Sequence, residues 1–408
     1  MGTSFERTPL EFYENLSVNN STKIVLLVMD GLAGLPNEEG GLTELEKANT
    51  PNLDKLASKS ICGLHSPVGA GIIPGSGPAH LGLFGYDPIR YQVGRGVLSA
   101  LGTGFDLQSN DVAARGNFCT VDDDGVVTDR RAGRIPTEKN EEICKLLREI
   151  KLPKVDLFIS TVKEYRALFV LRGENLSGEV SATDPQAVGL KPLSAKALNP
   201  VAEHTADLVN QFIQEARRKL ASQHPANMLL LRGFSKHPDW PNFEKVFNVK
   251  AAAIAAYPMY RGVAKLVGMN ALDAGQTVES EFETLESNWD QFDFFFVHIK
   301  KTDSYGEDGN FEKKVALIEE IDALIPRLLN LNPDVLMVTG DHSTPAIMKS
   351  HGFQPVPVMI WSKLCRPDSV QTFGERSCIT GGLGPRIPSH QLMPIAMANA
   401  GRLEKFGA

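Results

Sequence analysis

The sequence predicts an α/β protein: a mostly parallel sheet with helices on both faces, carrying a smaller inserted α+β domain. Three observations point there. Three apolar runs of strand length each end in acidic or imidazole side chains. Helical patterns follow the first two runs. The middle of the chain changes to short alternating stretches separated by turn residues.

The three runs are residues 23–30 (KIVLLVMD), 293–303 (DFFFVHIKKTD) and 334–342 (DVLMVTGDH). Their length and their β-branched or aromatic content fit strands buried on both faces. After the first run, TPNLDKLASKS reads as a helix capped by Thr50 and opened by Pro51. After the second, Val315, Ile318, Ile321 and Ile325 form one helical stripe, which Pro326 is expected to end or kink. Strands alternating with helices imply parallel pairing, and ligands then bind beyond the carboxyl ends of the strands. The polar endings fall there.

From about 108 to 190, the stretches DVAARGNFCTVD, GVVTDRRA, VDLFISTV and YRALFVLRG surround one helix-like piece, EKNEEICKLLREI. They read as an antiparallel α+β unit. Residues 199–222 then form an amphipathic helix through Val201, Leu208, Val209, Phe212, Ile213, Ala216 and Leu220. The expected organisation is a core made of residues 1–107 and 191–408, with 108–190 inserted.

A chain of 408 residues is long enough for more than one unit, and its core needs no disulfide or metal merely to hold together. A net charge of −7 argues against general affinity for nucleic acid. Five scattered cysteines without CxxC spacing read as reduced thiols of a cytoplasmic protein. The N-terminal stretch lacks an apolar signal core, and Gly2 with Ser4 matches a myristoylation signal only loosely. The apolar runs are too short or too interrupted to span a membrane. Nothing in the sequence indicates an oligomer.

The strand ends carry the chemistry. Asp30 follows the first run, Asp303 the second with Glu307 four residues on, and Asp341 with His342 the third; His351 lies nine residues later. Oxygen and nitrogen donors of this kind bind Mn²⁺, Mg²⁺ or Zn²⁺, and two such ions can clamp a phosphoryl group. A single Asp after a strand is usually a cap or a turn former. The adjacent Asp341–His342 pair has no common structural reason, and the repeated pattern favours metal. Ser76, in PGSGPAHLGLFGYDP, sits on a glycine-rich turn at the start of a helix. There the positive dipole end and free N–H groups seat a phosphate; the plain alternative is a capping serine. Arg115, Arg130, Arg131, Arg134 and Arg166 crowd the middle unit, and Arg261 follows in YPMYRG. Arginines grip carboxylate and phosphate bidentately, although a solvated hairpin face would look the same.

In this order, MDG, TPNLDKLA, PGSGPAHLGLFGYDP, DRRAGR, HIKKTD, GDH and a lone His before PVPV, the chain resembles the archaeal-type cofactor-independent phosphoglycerate mutases of the alkaline phosphatase superfamily. The resemblance runs from near residue 20 to the C-terminal KFGA. It implies one metal held by Asp30, Ser76, Asp341 and His342, and another by Asp303, His351 and the residue four after Asp303. Family members often carry His at that last position, within TDxxGHDG. Here TDSYGEDG places Glu307 there, which favours Mn²⁺ or Mg²⁺ over Zn²⁺. The resemblance also implies that Ser76 takes the phosphate of 3-phosphoglycerate as a phosphoserine and returns it to the other hydroxyl, with no bisphosphoglycerate. Arg130, Arg134 and Arg261, then Arg115 and Arg166, would hold this small phosphorylated carboxylic acid. Asp129 is a candidate acid or base. Two alternatives stand: a metal-dependent phosphomonoesterase or other phosphotransferase using the same serine, and a non-catalytic relative.

Overall fold

The structure, a computed structural model, describes residues 9–38 and 40–407. The N-terminal Gly2 and Ser4 lie outside the described residues. In chain order the strands are β1 (Ile24–Met29), β2 (Ile61–Ser66), β3 (Asp111–Val121), β4 (Val127–Asp129), β5 (Asp156–Lys163), β6 (Arg166–Arg172), β7 (Met228–Ser235), β8 (Ala251–Ala255), β9 (Asn270–Leu272), β10 (Phe294–Ile299), β11 (Val335–Thr339), β12 (Val356–Ser362) and β13 (Gly384–Pro388). The chain divides into two compact units, Met1–Gln92 with Trp240–Ala408, and Val93–Asp239.

The first unit contains an eight-stranded sheet in the order β13-β2-β12-β11-β1-β10-β8-β9. β11, β1, β10, β8 and β9 run parallel, as do β2 and β13, whereas β12 runs against both of its neighbours. Every residue of β1, β10 and β11 is buried. With helices on both faces, such strands are apolar along most of their length, with His298 of β10 and Thr339 of β11 near the ends, which is why no alternation shows in their sequence. On one face Leu27, Phe295 and Val297 join Ile318, Ile321 and Ile325 of the helix Phe311–Asn330. On the other, Phe294 and Phe296 meet Phe243 and Phe84 at ring separations of 4.9 Å.

Two local expectations need correction. The helix Phe311–Asn330 does not end at Pro326 but runs on for about one more turn, to Asn330. Proline lacks the N–H that would bind the carbonyl four residues back. Here that carbonyl, on Asp322, accepts from Asn52 Nδ2 at 3.2 Å. The buried stripe of Ile321, Ile325 and Leu328 holds the remaining turns in place. Thr50 does not cap the helix Pro51–Ala57 with its side chain. The Asp322 carboxylate does so instead, accepting from Leu53 N at 2.7 Å and Asn52 N at 3.3 Å.

The second unit is antiparallel throughout its pairings: β4-β3-β6-β5, with β7 also on β3. The helices Thr137–Leu147 and Glu203–Leu220 cover one face through Ile143, Leu147 and Phe212, and Phe212 meets Phe169 of β6 at 4.8 Å. This unit is therefore wider than residues 108–190. The helix Glu203–Leu220 and β7 belong to it, because β7 pairs with β3 across more than a hundred residues of chain.

Candidate active site

The carboxyl ends of β1, β10 and β11 are level, with Met29 opposite Ile299 and Val28 opposite Thr339. Asp30 follows β1, Lys300 and Asp303 follow β10, and Asp341 and His342 follow β11. Ser76 is the first residue of the helix Ser76–Leu83, which the chain enters after β2. Close approach of these ends demands glycine. Gly31 has φ +63°, and a Cβ there would lie 2.5 Å from Thr344 Oγ1; one on Gly306 would lie 2.2 Å from Thr344 O.

Asp30, Asp341 and His342 form one compact group. His342 Nε2 lies 3.3 Å from Asp30 Oδ1, 3.2 Å from Asp341 Oδ2 and 3.3 Å from Ser76 Oγ. Asp30 Oδ1 and Asp341 Oδ2 are buried and have no hydrogen-bond partner. Orphaned buried carboxylate oxygens are rare and costly. Two of them, aimed with an imidazole nitrogen and a hydroxyl at one spot, fit a divalent cation. Their other oxygens are occupied: Asp341 Oδ1 accepts from Gly31 N at 3.0 Å, and Asp30 Oδ2 accepts from Tyr260 Oη.

Asp303, His342 and His351 form a second group. His351 Nε2 lies 3.7 Å from Asp303 Oδ1, and the His342 and His351 rings stack at 3.8 Å. The hydrogen-bond pattern assigns the tautomers. Thr344 Oγ1 donates to Asp303 Oδ1 at 2.7 Å, so at 3.0 Å it accepts from His342 Nδ1–H. His351 Nδ1 faces Pro74 O at 2.8 Å and must donate. Each imidazole thus keeps its Nδ1 on an outer partner and turns Nε2 inward, the nitrogen that a neutral ring of this tautomer offers to a metal.

Charge in the site is unbalanced without a cation. Burial alone would raise the Asp30 carboxyl, but Lys300 Nζ, 3.1 Å from Oδ2, with His298 holds it well below the usual range. Burial and the neighbouring Asp30 charge push Asp341 well above its ordinary value. Lys300 also contacts Asp303, so one ammonium bridges the two groups. Burial lowers His80 to about 3, keeping it neutral, with its Nδ1 2.8 Å from Ser76 O.

A family model described as 2,3-bisphosphoglycerate-independent phosphoglycerate mutase matches residues 57–227. A protein of Thermosipho africanus named as a probable 2,3-bisphosphoglycerate-independent phosphoglycerate mutase is 53% identical over 95% of this chain and 96% of its own length. The chain belongs to the 2,3-bisphosphoglycerate-independent phosphoglycerate mutases. A Thermus thermophilus relative with the same name is 50% identical over 97% of this chain and 98% of its own. Among solved structures, a Pyrococcus horikoshii protein superposes with a TM-score of 0.83 at 31% identity, covering 96% of this chain and all of its own. The cofactor-independent phosphoglycerate mutase of Thermoplasma acidophilum has a TM-score of 0.68 at 32% identity, covering 93% of this chain and all of its own.

In a mutase of this family, arginines are the side chains suited to grip carboxylate and phosphate. In the second unit, β-pairing sets Arg115 opposite Arg232 and one step diagonal from Arg166, so all three project from the same sheet face. Asp184 ties in a fourth. Arg130 grips it at 3.2 and 2.7 Å, and Arg232 Nη1 lies 3.6 Å from it. Arg134 is exposed, at the end of a turn with φ +53°, and makes no side-chain hydrogen bond or ion pair among the described residues. Arg261, in the first unit, follows Tyr260 on the helix Pro258–Leu266 and leaves Nε buried without a partner. Asp129 is a turn former: its two oxygens accept from Arg131 N at 2.8 Å and Gly133 N at 2.6 Å.

Glu307 ends the helix Lys301–Glu307, exposed, one turn from Asp303 and outside both compact groups. Sequence reading missed Lys300, His298, His80, Tyr260, Thr344, Asp184 and Arg232. Lys300 and His298 stand inside HIKKTD, where the alternation of strand and polar ending was already the signal. Asp184 and Arg232 carry no local signal.

Proposed function

We propose that this chain interconverts 3-phosphoglycerate and 2-phosphoglycerate through a phosphoserine at Ser76, without bisphosphoglycerate. The observation that carries the reading is the meeting of Ser76 Oγ, His342 Nε2 and two unpartnered carboxylate oxygens at one buried point. Asp30, Ser76, Asp341 and His342 would hold one divalent cation, and Asp303 and His351 the other, for which Glu307 is a further candidate ligand. Mn²⁺ or Mg²⁺ suits this oxygen-rich set. Bound there, the cations would lower the pKa of the serine hydroxyl and neutralise charge on the phosphoryl oxygens.

Ser76 Oγ gives up its proton and attacks phosphorus, the bond to the glycerate oxygen breaks, and that oxygen takes up a proton, so the step is proton-neutral. The phosphoserine then rests against the first turn of the helix Ser76–Leu83, where backbone N–H groups and the helix dipole favour a dianion. Attack by the other glycerate hydroxyl regenerates Ser76. His342 keeps its Nε2 free because Thr344 occupies Nδ1. Arg130, Arg134, Arg115, Arg166 and Arg261 are the candidate grips for the carboxylate and phosphate. Exclusion of water during this interval separates a mutase from a phosphatase.

Among the described residues no helix is long and apolar enough to cross a membrane. The five cysteines are free thiols. We infer a cytoplasmic setting from that state.

The test is turnover of 3-phosphoglycerate in Mn²⁺ or in EDTA, followed by coupling to enolase, with inorganic phosphate measured in the same tube. Metal-dependent isomer, lost in Ser76→Ala, supports the proposal. Phosphate without isomer makes the chain a phosphomonoesterase on the same site.

A further inference from the structure

Lys314 lies in the first turns of the helix Phe311–Asn330, yet it is fully buried, with 0% of its side chain exposed. Its Nζ donates to Gly31 O at 2.8 Å and Thr344 O at 2.9 Å. Ala33 O lies at 3.5 Å and Glu44 Oε1 at 3.8 Å. Three carbonyl oxygens and one carboxylate around a single positive centre are the surroundings of a bound monovalent cation. Burying an ammonium costs several kcal/mol unless such partners repay it, and an amphipathic helix has no need of a lysine on its core side.

What the cage joins explains the position. Gly31 follows Asp30 and donates its N–H to Asp341. Thr344 holds His342 through Nδ1 and Asp303 through Oδ1. Glu44, on the far side, accepts from Ala346 N at 2.7 Å. One ammonium therefore ties the loop after β1 to the loop after β11, each of which carries or braces candidate metal ligands.

We propose that Lys314 is a positioning residue that acts as a tethered monovalent cation, fixing these two loops so that both metal groups are preformed. The proposal rests on the metal reading of Asp30, Asp303, Asp341, His342 and His351. The contacts of Lys314 Nζ are with Gly31, Ala33, Thr344 and Glu44, none of them one of those ligands. Lys314 acts on metal affinity and, through that, on turnover.

The experiment is Mn²⁺ titration of the full chain, followed by electron paramagnetic resonance, for wild type and Lys314→Ala. Lost outer-sphere support commonly weakens metal binding about 10–100-fold, and a loss in that range is expected for the variant. Added n-propylammonium, which replaces the deleted atoms, should restore Mn²⁺ affinity saturably and leave wild type unchanged. Tetramethylammonium at equal ionic strength should not restore it. Wild-type affinity in the variant, or equal effects of the two amines, overturns the proposal. If Lys314→Ala does not fold, the double variant Lys314→Met with Glu44→Gln removes both charges. Weakened Mn²⁺ binding in that variant, with an unchanged circular dichroism spectrum, supports the proposal; unchanged binding overturns it. Wild-type chain that binds no Mn²⁺ fails the metal reading itself, which is a different result from wild type that binds beside an unaffected variant.

Discussion

At Thr344 one hydroxyl serves two candidate ligands, donating to Asp303 and accepting from His342 Nδ1. That arrangement decides which imidazole nitrogen faces Asp30 and Ser76. Thr344→Val keeps the shape and removes the hydroxyl, so Mn²⁺ affinity should fall about 10–100-fold, while Thr344→Ser should retain it; a Mn²⁺ titration separates the two. Glu307 is the residue where sequence and structure pull apart. Position i+4 from Asp303 puts it on the same helical face, yet its side chain is exposed. If rotation brings it onto the second ion, Glu307→Ala should weaken the second Mn²⁺ about tenfold and leave the first unchanged. Equal titrations for variant and wild type would remove Glu307 from the ligand set. The polar ending HIKKTD marks Lys300 in the sequence but does not say what it touches. A lysine after a strand reads as a solvated end, and only the fold shows its ammonium 3.1 Å from Asp30.

Elements fix the site by their ends. β1, β10 and β11 were legible because both of their faces are buried, so each is a short, largely apolar run without alternation. Their polar endings were legible because parallel strands place them together. The helix Phe311–Asn330 was legible as a stripe but not in its length. Tolerance of Pro326 depends on Asn52, more than two hundred and fifty residues away, taking the freed carbonyl. The helix Val278–Ser287 carries a further consequence of burial. Glu281 is 3% exposed, and burial raises its carboxyl from 4.5 to about 8, against the backbone N–H of Ala256 and the charge of Lys301. The folded state therefore binds a proton that the unfolded state releases above 4.5. That stabilisation is complete below 4.5 and is lost as pH rises through about 8. Glu281→Gln imitates the protonated form. Its melting temperature should exceed that of wild type near pH 8, by an amount worth roughly 2 kcal/mol, and the gap should close toward roughly pH 5. Parallel melting curves across that range would contradict it.

Across the whole molecule, the two-unit plan was legible and its limits were not. The switch from uninterrupted to alternating patterns marks the second unit, but β7 joins it only through pairing with β3. Non-local pairing of that kind leaves no trace in local periodicity. The same holds for Asp184, which gathers Arg130 and Arg232 from separate stretches of chain. Arg134 has little structural work to do, since it is exposed and no side-chain partner engages it among the described residues. Arg134→Ala should therefore change stability by no more than about 0.5 kcal/mol. It should raise KM for 3-phosphoglycerate about tenfold or more, the loss expected of a charged grip on the substrate, with Mn²⁺ affinity unchanged. Unchanged KM would assign it to the solvated turn instead.

The most direct measurement is the fate of Ser76 during turnover. Enzyme mixed with 3-phosphoglycerate and Mn²⁺, quenched in acid within the first turnovers and digested, should yield the Ser76 peptide carrying one phosphate. The adduct should vanish in EDTA and in Ser76→Ala. Steady production of 2-phosphoglycerate with phosphate on another residue, or with none on the protein, would contradict the account at its centre.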